Sequence, residues 1–193
     1  MKDKNIGFIG LGNVGKKLAN NILKSNYQLY IYDLDKKKSS NLIKKGAIWQ
    51  NSLRNLCKNT SIIITCLPSP KSVSNVIEKK LGILNFINKN HLWIEMSTTD
   101  EKEMKRLLKL FINKKANVLE APISGGQHKA ESGNISIFVS GKRNIFKRAF
   151  PILSLMGHKI LYCGKIGNAS TLKVVTNFLA SINLLALGES LMI

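Results

Sequence analysis

Residues 5–15 have the sequence NIGFIGLGNVG, a short apolar run that passes directly into the pattern Gly10-x-Gly12-x-x-Gly15. The apolar run predicts a strand, and the helical spacing of residues 13–24 predicts a helix that begins within the pattern. Gly10 would then allow the tight turn, Gly12 would leave room for a pyrophosphate, and Gly15 would let helix and strand pack closely. The free N–H groups of the helix N-terminus would face the phosphates. This unit predicts a dinucleotide-binding loop made of Gly10, Leu11, Gly12, Asn13, Val14 and Gly15.

The next predicted strand, YQLYIYD, ends at Asp33, 18 positions after Gly15. A carboxylate at this position accepts hydrogen bonds from the adenosine ribose and repels a 2′-phosphate, which favours NAD over NADP as cofactor. The lysines at 36–38 weaken that argument, because their ammonium groups could neutralise a phosphate, so NADP stays possible. A turn residue or helix cap is the alternative role for Asp33.

Strand-like and helix-like segments alternate through the rest of the first 163 residues. SIIITCLP, residues 61–68, is a continuous apolar run of the kind found in parallel strands buried on both faces. The alternation predicts an α/β fold with a doubly wound, Rossmann-type, mostly parallel sheet. Further strands are expected at 91–97, 116–122, 134–141 and 158–164, and helices at 36–46, 99–114 and 143–154. Because such a sheet binds its ligand at the carboxyl ends of its strands, the cofactor-binding candidates also include Leu67, Pro68, Ser97 and Thr98.

A long apolar helix is predicted over GNASTLKVVTNFLASINLLALGES, residues 167–190, in which Lys173 is followed by no further charge until after Gly188. Lys173 and Asn177 are four residues apart and therefore share a helix face. A lysine in apolar surroundings loses solvation, which lowers its pKa from about 10.4 and suits it to exchange protons with a substrate hydroxyl. The alternative is a lysine that extends to water at the helix edge. The chain divides into a dinucleotide-binding domain, 1–163, and the start of a helical domain, 164–193.

A second glycine cluster, APISGG at residues 121–126, leaves a predicted strand abruptly. Pro122 cannot continue a central ladder, and two glycines expose backbone N–H groups. A serine hydroxyl beside such donors can hold a carboxylate. A simple tight turn explains the same residues equally well.

Three motifs, in this order, resemble those of the β-hydroxyacid dehydrogenases, the group that contains 3-hydroxyisobutyrate dehydrogenase and tartronate semialdehyde reductase. GFIGLGNVG (7–15) is similar to their cofactor loop, APISGGQHKAESGNISIFVSG (121–141) to their substrate loop, and GNASTLKVVTN (167–177) to their catalytic helix. The resemblance covers nearly the whole chain. It implies an NAD(P)-dependent oxidoreductase that transfers a hydride between a nicotinamide cofactor and the hydroxyl carbon of a small β-hydroxyacid.

The resemblance also implies roles for particular residues. Ser124, Gly125 and Gly126 would bind the substrate carboxylate. Lys173 would be the catalytic acid/base, and Asn177 would help to orient the substrate.

The chain departs from the family pattern at a few positions. Family members usually have glycine where Lys129, Ser140 and Ala169 stand, and asparagine where Thr176 stands, but none of these changes removes a proposed chemical group. The related 6-phosphogluconate dehydrogenases typically have histidine near the position of Ser170, and imine reductases usually lack the lysine. These differences favour the hydroxyacid dehydrogenases.

Family members continue into an all-helical domain, which closes the active site and usually mediates dimerisation. This sequence ends inside the first long helix of that domain, so we expect a truncated chain or helices supplied by another chain, and a homo-oligomer if the domain is completed. An apolar face would then be exposed at Phe178, Leu184, Leu185 and Leu187. The alternative function is a non-catalytic NAD(P)-binding protein that has lost its closing domain.

The formal charge of +19 permits a third hypothesis, a nucleic-acid partner. Only four of the 30 basic residues are arginine, the lysines are scattered, and lysine, asparagine and isoleucine all have A/T-rich codons. Nucleic-acid readers rely on arginine and interleaved aromatic residues. The pattern therefore favours compositional bias over nucleic-acid binding.

Three widely spaced cysteines form no CxxC pair and no Cys/His cluster, so the sequence predicts neither a disulfide framework nor a metal site. The first residues lack a signal-peptide pattern, and we expect no apolar run to reach the length of a membrane span. These features predict a cytoplasmic location and no membrane partner.

Overall fold

The computed structural model describes residues 4–192, in which helices flank a single sheet. The strands are β1 (Asn5–Ile9), β2 (Gln28–Tyr32), β3 (Ile48–Trp49), β4 (Ile62–Thr65), β5 (Leu92–Glu95), β6 (Asn117–Glu120), β7 (Ile123–Ser124), β8 (Ile135–Gly141) and β9 (Gly157–Gly164). The α-helices are α1 (Gly15–Leu23), α2 (Ser40–Lys44), α3 (Leu53–Asn59), α4 (Pro70–Glu78), α5 (Glu101–Asn113), α6 (Gly126–Glu131), α7 (Arg143–Met156) and α8 (Asn168–Ser190). Short 3-10 helices lie at Lys36–Ser39 and Ile83–Asn85.

The strand order confirms the predicted fold class. Strands β3-β2-β1-β4-β5-β6 lie side by side in this order and all run parallel. This is the doubly wound order, in which the chain reverses direction across the sheet between β1 and β4 and leaves a crevice at their carboxyl ends. Strand β8 extends the sheet antiparallel to β6, and it also pairs with β7 and β9.

Apolar layers cover both faces of the sheet, which explains the continuous apolar runs of its central strands. All four residues of β4 are buried. Phe8 and Ile64 belong to the layer beneath α1 and α7, whereas Ile63 and Trp93 belong to the layer beneath α4 and α5. Trp93 stacks on Phe111 of α5 with 4.4 Å between ring centroids.

Several short elements were not predicted from the sequence, namely β3, β7, α3, α4, α6 and the 3-10 helix at Ile83–Asn85. Two of the helices do carry start signals. The Ser52 side chain accepts a hydrogen bond from Asn55 N, and the Ser69 side chain accepts one from Ser72 N, with Pro70 at the first helical position. Serine caps and a first-turn proline are typical of helix N-termini, so the sequence does contain signals for these two helices.

Helix α8 is as long as the sequence predicts, and the sheet supports only its beginning. It contacts α5, β8 and β9, and its buried residues are Ala169, Ser170 and Lys173. The predicted apolar face is exposed, with Phe178 64% and Leu184 72% accessible. By length and composition alone this helix could cross a membrane, which corrects the expectation that no segment is long enough. Core helices of soluble proteins meet the same criterion of length and composition.

Candidate active site

A cavity of about 1100 Å³ runs along the carboxyl ends of β1, β2, β4 and β5 and reaches α8. Residues of all three sequence motifs line it. Two predicted site residues, Leu11 and Ser124, are not part of the lining. The predicted residues that do line it are Gly10, Gly12, Asn13, Val14, Gly15, Asp33, Leu67, Pro68, Ser97, Thr98, Gly125, Gly126, Lys173 and Asn177.

Glycine is required for close backbone packing at two positions of the first loop and for open space at the third. A Cβ at Gly15 would lie 2.0 Å from the Gly10 carbonyl oxygen, and a Cβ at Gly10, where φ is +98°, would lie 2.3 Å from the Cys66 carbonyl oxygen. A Cβ at Gly12 would meet no atom within 4 Å and would enter the open cavity. The loop therefore fits a pyrophosphate, which needs close backbone approach at the middle glycine.

Asp33 connects the end of β2 to the glycine loop. Its Oδ2 accepts a hydrogen bond from Leu11 N at 2.6 Å, and its Oδ1 accepts one from Asp35 N at 2.9 Å. Leu11 itself is fully buried, so it contributes through its backbone and not through the cavity lining. The turn-forming role considered for Asp33 is thus present, and Asp33 also lines the cavity.

Two of the three lysines that follow β2 lie in different surroundings. Lys38 Nζ lies 3.7 Å from Asp33 Oδ1 and Lys38 lines the cavity, whereas Lys36 Nζ lies over the Trp49 ring. Arg54 of α3 also lines the cavity. Sequence reasoning did not find Arg54, because it assigned no element to its segment.

Leu67 and Ser97, both predicted from strand ends, are held together by a buried network. Leu67 N donates to Ser97 Oγ at 2.8 Å, and Ser97 N donates to Glu95 Oε1 at 2.5 Å. Glu95 Oε2 accepts a hydrogen bond from Thr65 Oγ1, which in turn accepts one from Trp93 Nε1. The network joins the carboxyl ends of β4 and β5, where the cavity runs.

Burial raises the pKa of the Glu95 carboxyl to about 7, and the nearby Glu120 adds to the rise, although hydrogen bonds from Ser97 and Thr65 act in the opposite sense. Glu95 is completely inaccessible to solvent. This group could not be predicted from the sequence, because a glutamate within the run HLWIEMS is indistinguishable from one on an exposed strand face.

We expect Glu95 to make the folded state less stable as the pH rises. Its pKa is about 7 when folded and near 4.5 when unfolded, so the folded state binds the extra proton between these values. Stability should therefore fall between about pH 4.5 and 7, by up to about 1.4 kcal/mol per pH unit. The free energy of unfolding of the Glu95→Gln variant, measured with urea at several pH values, should not show this fall.

Glu131→Gln is the matched control for this measurement. The Lys17 ammonium, 2.8 Å from the exposed Glu131 carboxylate, lowers the Glu131 pKa, so any effect of that residue falls below pH 4.5. The control should keep the wild-type slope. Equal slopes in wild type and Glu95→Gln would contradict the assignment.

Lys173 and Asn177 form a hydrogen-bonded pair on the cavity wall. Lys173 is only 8% accessible, and its Nζ donates to Asn177 Oδ1 at 2.8 Å. Burial lowers the pKa of the Lys173 ammonium below its ordinary value. The pair thus places a poorly solvated amine in the same cavity as the glycine loop.

The second glycine cluster reaches the cavity through its glycines. Gly125 and Gly126 both have positive φ, +135° and +75°, and both line the cavity at the start of α6. Ser124 instead pairs with Ser136 between β7 and β8 and stays outside the lining. The structure therefore brings two of the three predicted carboxylate-binding residues to the cavity wall.

Comparison with known proteins places this architecture in a family. The family model described as the NAD binding domain of 6-phosphogluconate dehydrogenase matches residues 5–164. The mitochondrial 3-hydroxyisobutyrate dehydrogenase of Rattus norvegicus is 34% identical over 186 residues, which cover 96% of this chain and 56% of that protein. An uncharacterized oxidoreductase of Bacillus subtilis, YkwC, is 32% identical over 97% of this chain and 65% of its own length.

Solved structures agree with this comparison. The Mycobacterium tuberculosis 3-hydroxyisobutyrate dehydrogenase, solved with L-serine, has a TM-score of 0.91 and 25% identity, over 96% of this chain and 63% of that one. Psf3, solved with NADP+ and 2-OPP, has a TM-score of 0.89 and 27% identity, over 93% of this chain and 63% of that one. The chain spans between 56% and 65% of the length of the two curated relatives named above.

The family match covers most of the chain and includes the glycine loop, Asp33 and the second glycine cluster. Its description also confirms the predicted cofactor class, a nicotinamide dinucleotide. The chain therefore belongs to the family of the NAD binding domain of 6-phosphogluconate dehydrogenase, and its resemblance to the β-hydroxyacid dehydrogenases is confirmed by its relatives.

Proposed function

We propose that this chain carries the cofactor site and the acid/base lysine of an NAD(P)-dependent dehydrogenase of small β-hydroxyacids, of the 3-hydroxyisobutyrate or tartronate semialdehyde type. The single observation that carries the proposal is the buried amine of Lys173 in the cavity that the glycine loop also lines. A dinucleotide-binding protein without chemistry has no need of a desolvated amine there.

The proposed cofactor site consists of groups along the strand ends. The glycine loop and the N-terminus of α1 would hold the pyrophosphate, and Asp33 would hold the adenosine ribose. Leu67, Pro68, Ser97 and Thr98 would line the path towards α8. When bound, the nicotinamide supplies or accepts the hydride of the reaction.

Lys173 would move the proton that accompanies this transfer. In the oxidation direction its neutral amine takes the proton of the substrate hydroxyl, and in the reduction direction its ammonium gives a proton to the carbonyl oxygen. The hydrogen bond to Asn177 orients the amine, and burial favours the neutral form. The exposed backbone N–H groups of the Gly125–Gly126 turn are suited to the substrate carboxylate.

The second candidate function is NAD(P) binding without turnover. The observation that favours it is the exposure of α8 beyond Lys173, where Phe178 and Leu184 lie open to solvent. A lysine at the edge of an incompletely covered cavity would be reached by water, which weakens acid/base catalysis.

Cofactor titration followed by turnover separates the two functions. We expect NAD to quench tryptophan fluorescence or release heat at lower concentration than NADP, because Asp33 disfavours a 2′-phosphate despite Lys38. The purified chain would then be assayed with 3-hydroxyisobutyrate and NAD, and with tartronate semialdehyde and NADH. Turnover of either supports the dehydrogenase, binding without turnover supports the second function, and absence of binding overturns both.

A further inference from the structure

Helix α8 begins without a cap of its own. Its N-cap residue is Gly167, which has φ of +104° and no side chain that could accept a hydrogen bond from the first turn. Left unpaired, the free N–H groups of a buried helix start would be costly. The helix that carries Lys173 therefore needs acceptors from elsewhere in the fold.

Two strands of the sheet supply these acceptors. Glu120, the last residue of β6, accepts hydrogen bonds from Gly167 N to Oε2 and from Ser170 N to Oε1, both at 2.7 Å. Ser140 Oγ of β8 accepts one from Ala169 N at 3.0 Å. The remaining first-turn groups, Asn168 N and Thr171 N, donate to backbone carbonyls of Lys165 and Gly167.

The Glu120 contact is stronger than an ordinary cap. Its carboxylate is fully buried, engages one N–H group with each oxygen, and lies at the positive end of the helix dipole. Because each Glu120 oxygen accepts a hydrogen bond from a different backbone N–H group, the two contacts together fix the position of the start of α8 on the sheet. Lys173 follows Ser170 by three residues, which is less than one helical turn.

The same strand end also leads into the second glycine cluster. Glu120 is followed directly by residues 121–126, whose glycines line the same cavity as Lys173. Glu120 is thus the shared attachment of the lysine helix and the proposed carboxylate-binding turn.

We propose that Glu120 is a positioning residue, which sets the distance between the Lys173 amine and the Gly125–Gly126 turn by clamping the start of α8 to the end of β6. The proposal rests on the proposed function, in which the Lys173 amine is the acid/base. It does not require Glu120 to touch substrate or cofactor. Ser140 supports the same clamp through a single contact.

The test uses Glu120→Gln, in which one oxygen is replaced by an N–H donor that faces a backbone N–H group. The control is Glu189→Gln, which removes an exposed carboxylate from the far end of the same helix. We expect kcat to fall about 10- to 100-fold in Glu120→Gln, since small misplacements of a catalytic group have effects of this order, while NAD affinity stays at the wild-type value. The control should match wild type.

A readout that needs no turnover separates this proposal from the proposed function. Lysines would be reductively methylated with ¹³C, and the Lys173 resonance would be assigned by its loss in Lys173→Arg. In wild type and the control we expect a titration below that of the other lysines, and in Glu120→Gln a shift back towards them, because a displaced amine regains water. If the wild type is inactive and the Glu120→Gln variant still shows this shift, the dehydrogenase is overturned and the clamp is retained.

Two results would overturn the clamp. The first is a folded Glu120→Gln variant that is less stable but has an unchanged Lys173 titration and, where the wild type is active, an unchanged kcat. The second comes from Ser140→Ala. If Glu120→Gln does not fold, Ser140→Ala decides the question, because it removes one clamp contact and leaves the carboxylate. A shift of the Lys173 titration in Ser140→Ala, smaller than expected for Glu120→Gln, supports the proposal, and no shift overturns it.

Discussion

Replacing Lys173 by methionine is expected to lower dehydrogenase turnover by about 10²- to 10⁴-fold, the range that a positioned acid/base contributes. Methionine keeps an unbranched chain of similar length, so it should fill the space of a side chain that is only 8% accessible. It carries no proton and cannot pair with Asn177, whose Oδ1 accepts the hydrogen bond of the amine. Affinity for NAD, measured by calorimetric titration, should remain at the wild-type value because the glycine loop is untouched.

The pH dependence of the wild-type reaction provides the second part of this prediction. Oxidation of a hydroxyacid needs the neutral amine, so its rate should rise with pH and level off above the pKa of Lys173, which burial lowers below the ordinary 10.5. Reduction needs the ammonium and should decline over the same interval. A matched control, Lys114→Met at the exposed end of α5, should keep the wild-type pH dependence of both oxidation and reduction. Full activity of Lys173→Met would refute the acid/base assignment.

The fold was predictable because the information that sets it is local. The continuous apolar run of β4 requires burial on both faces, and the glycine pattern after β1 requires a tight turn into a helix. Both requirements hold in the structure, where β4 is buried throughout and Gly15 lies against the Gly10 carbonyl. The short helices α3 and α4 were missed although serine caps mark their starts, and α6 was missed because its six residues are too few for an apolar periodicity to show.

Residues of the candidate site could be predicted only where a chemically distinctive side chain also stands at a distinctive position in the sequence. Asp33 and Lys173 stand out from their neighbours, one at a strand end and the other alone in an apolar helix. Glu95 and Glu120 do not stand out, because nothing in the sequence shows that adjacent parallel strands bring these two glutamates side by side and bury them. Their partners come from residues up to 50 positions away, so their roles emerge only from the folded chain.

Two alanine substitutions in the glycine loop are expected to separate folding from cofactor binding. At Gly15 the new Cβ would lie 2.0 Å from the Gly10 carbonyl oxygen, so either α1 or the loop must move. We expect Gly15→Ala to lower the free energy of unfolding by about 1–3 kcal/mol or more, as forced overpacking does, and to lose NAD binding as the loop shifts. Urea unfolding and NAD titration of the same preparation measure both effects.

Gly12→Ala is the matched substitution and should show the opposite balance. Its Cβ meets no protein atom within 4 Å and its backbone lies outside the left-handed region, so stability should stay within about 0.5 kcal/mol of wild type. The methyl group enters the cavity where the pyrophosphate must approach the backbone, and NAD affinity should fall by about tenfold or more, equivalent to at least about 1.4 kcal/mol. A Gly12→Ala variant that binds NAD as tightly as wild type would place the pyrophosphate elsewhere. A Gly15→Ala variant of wild-type stability would show that the close packing of α1 on the loop is not required.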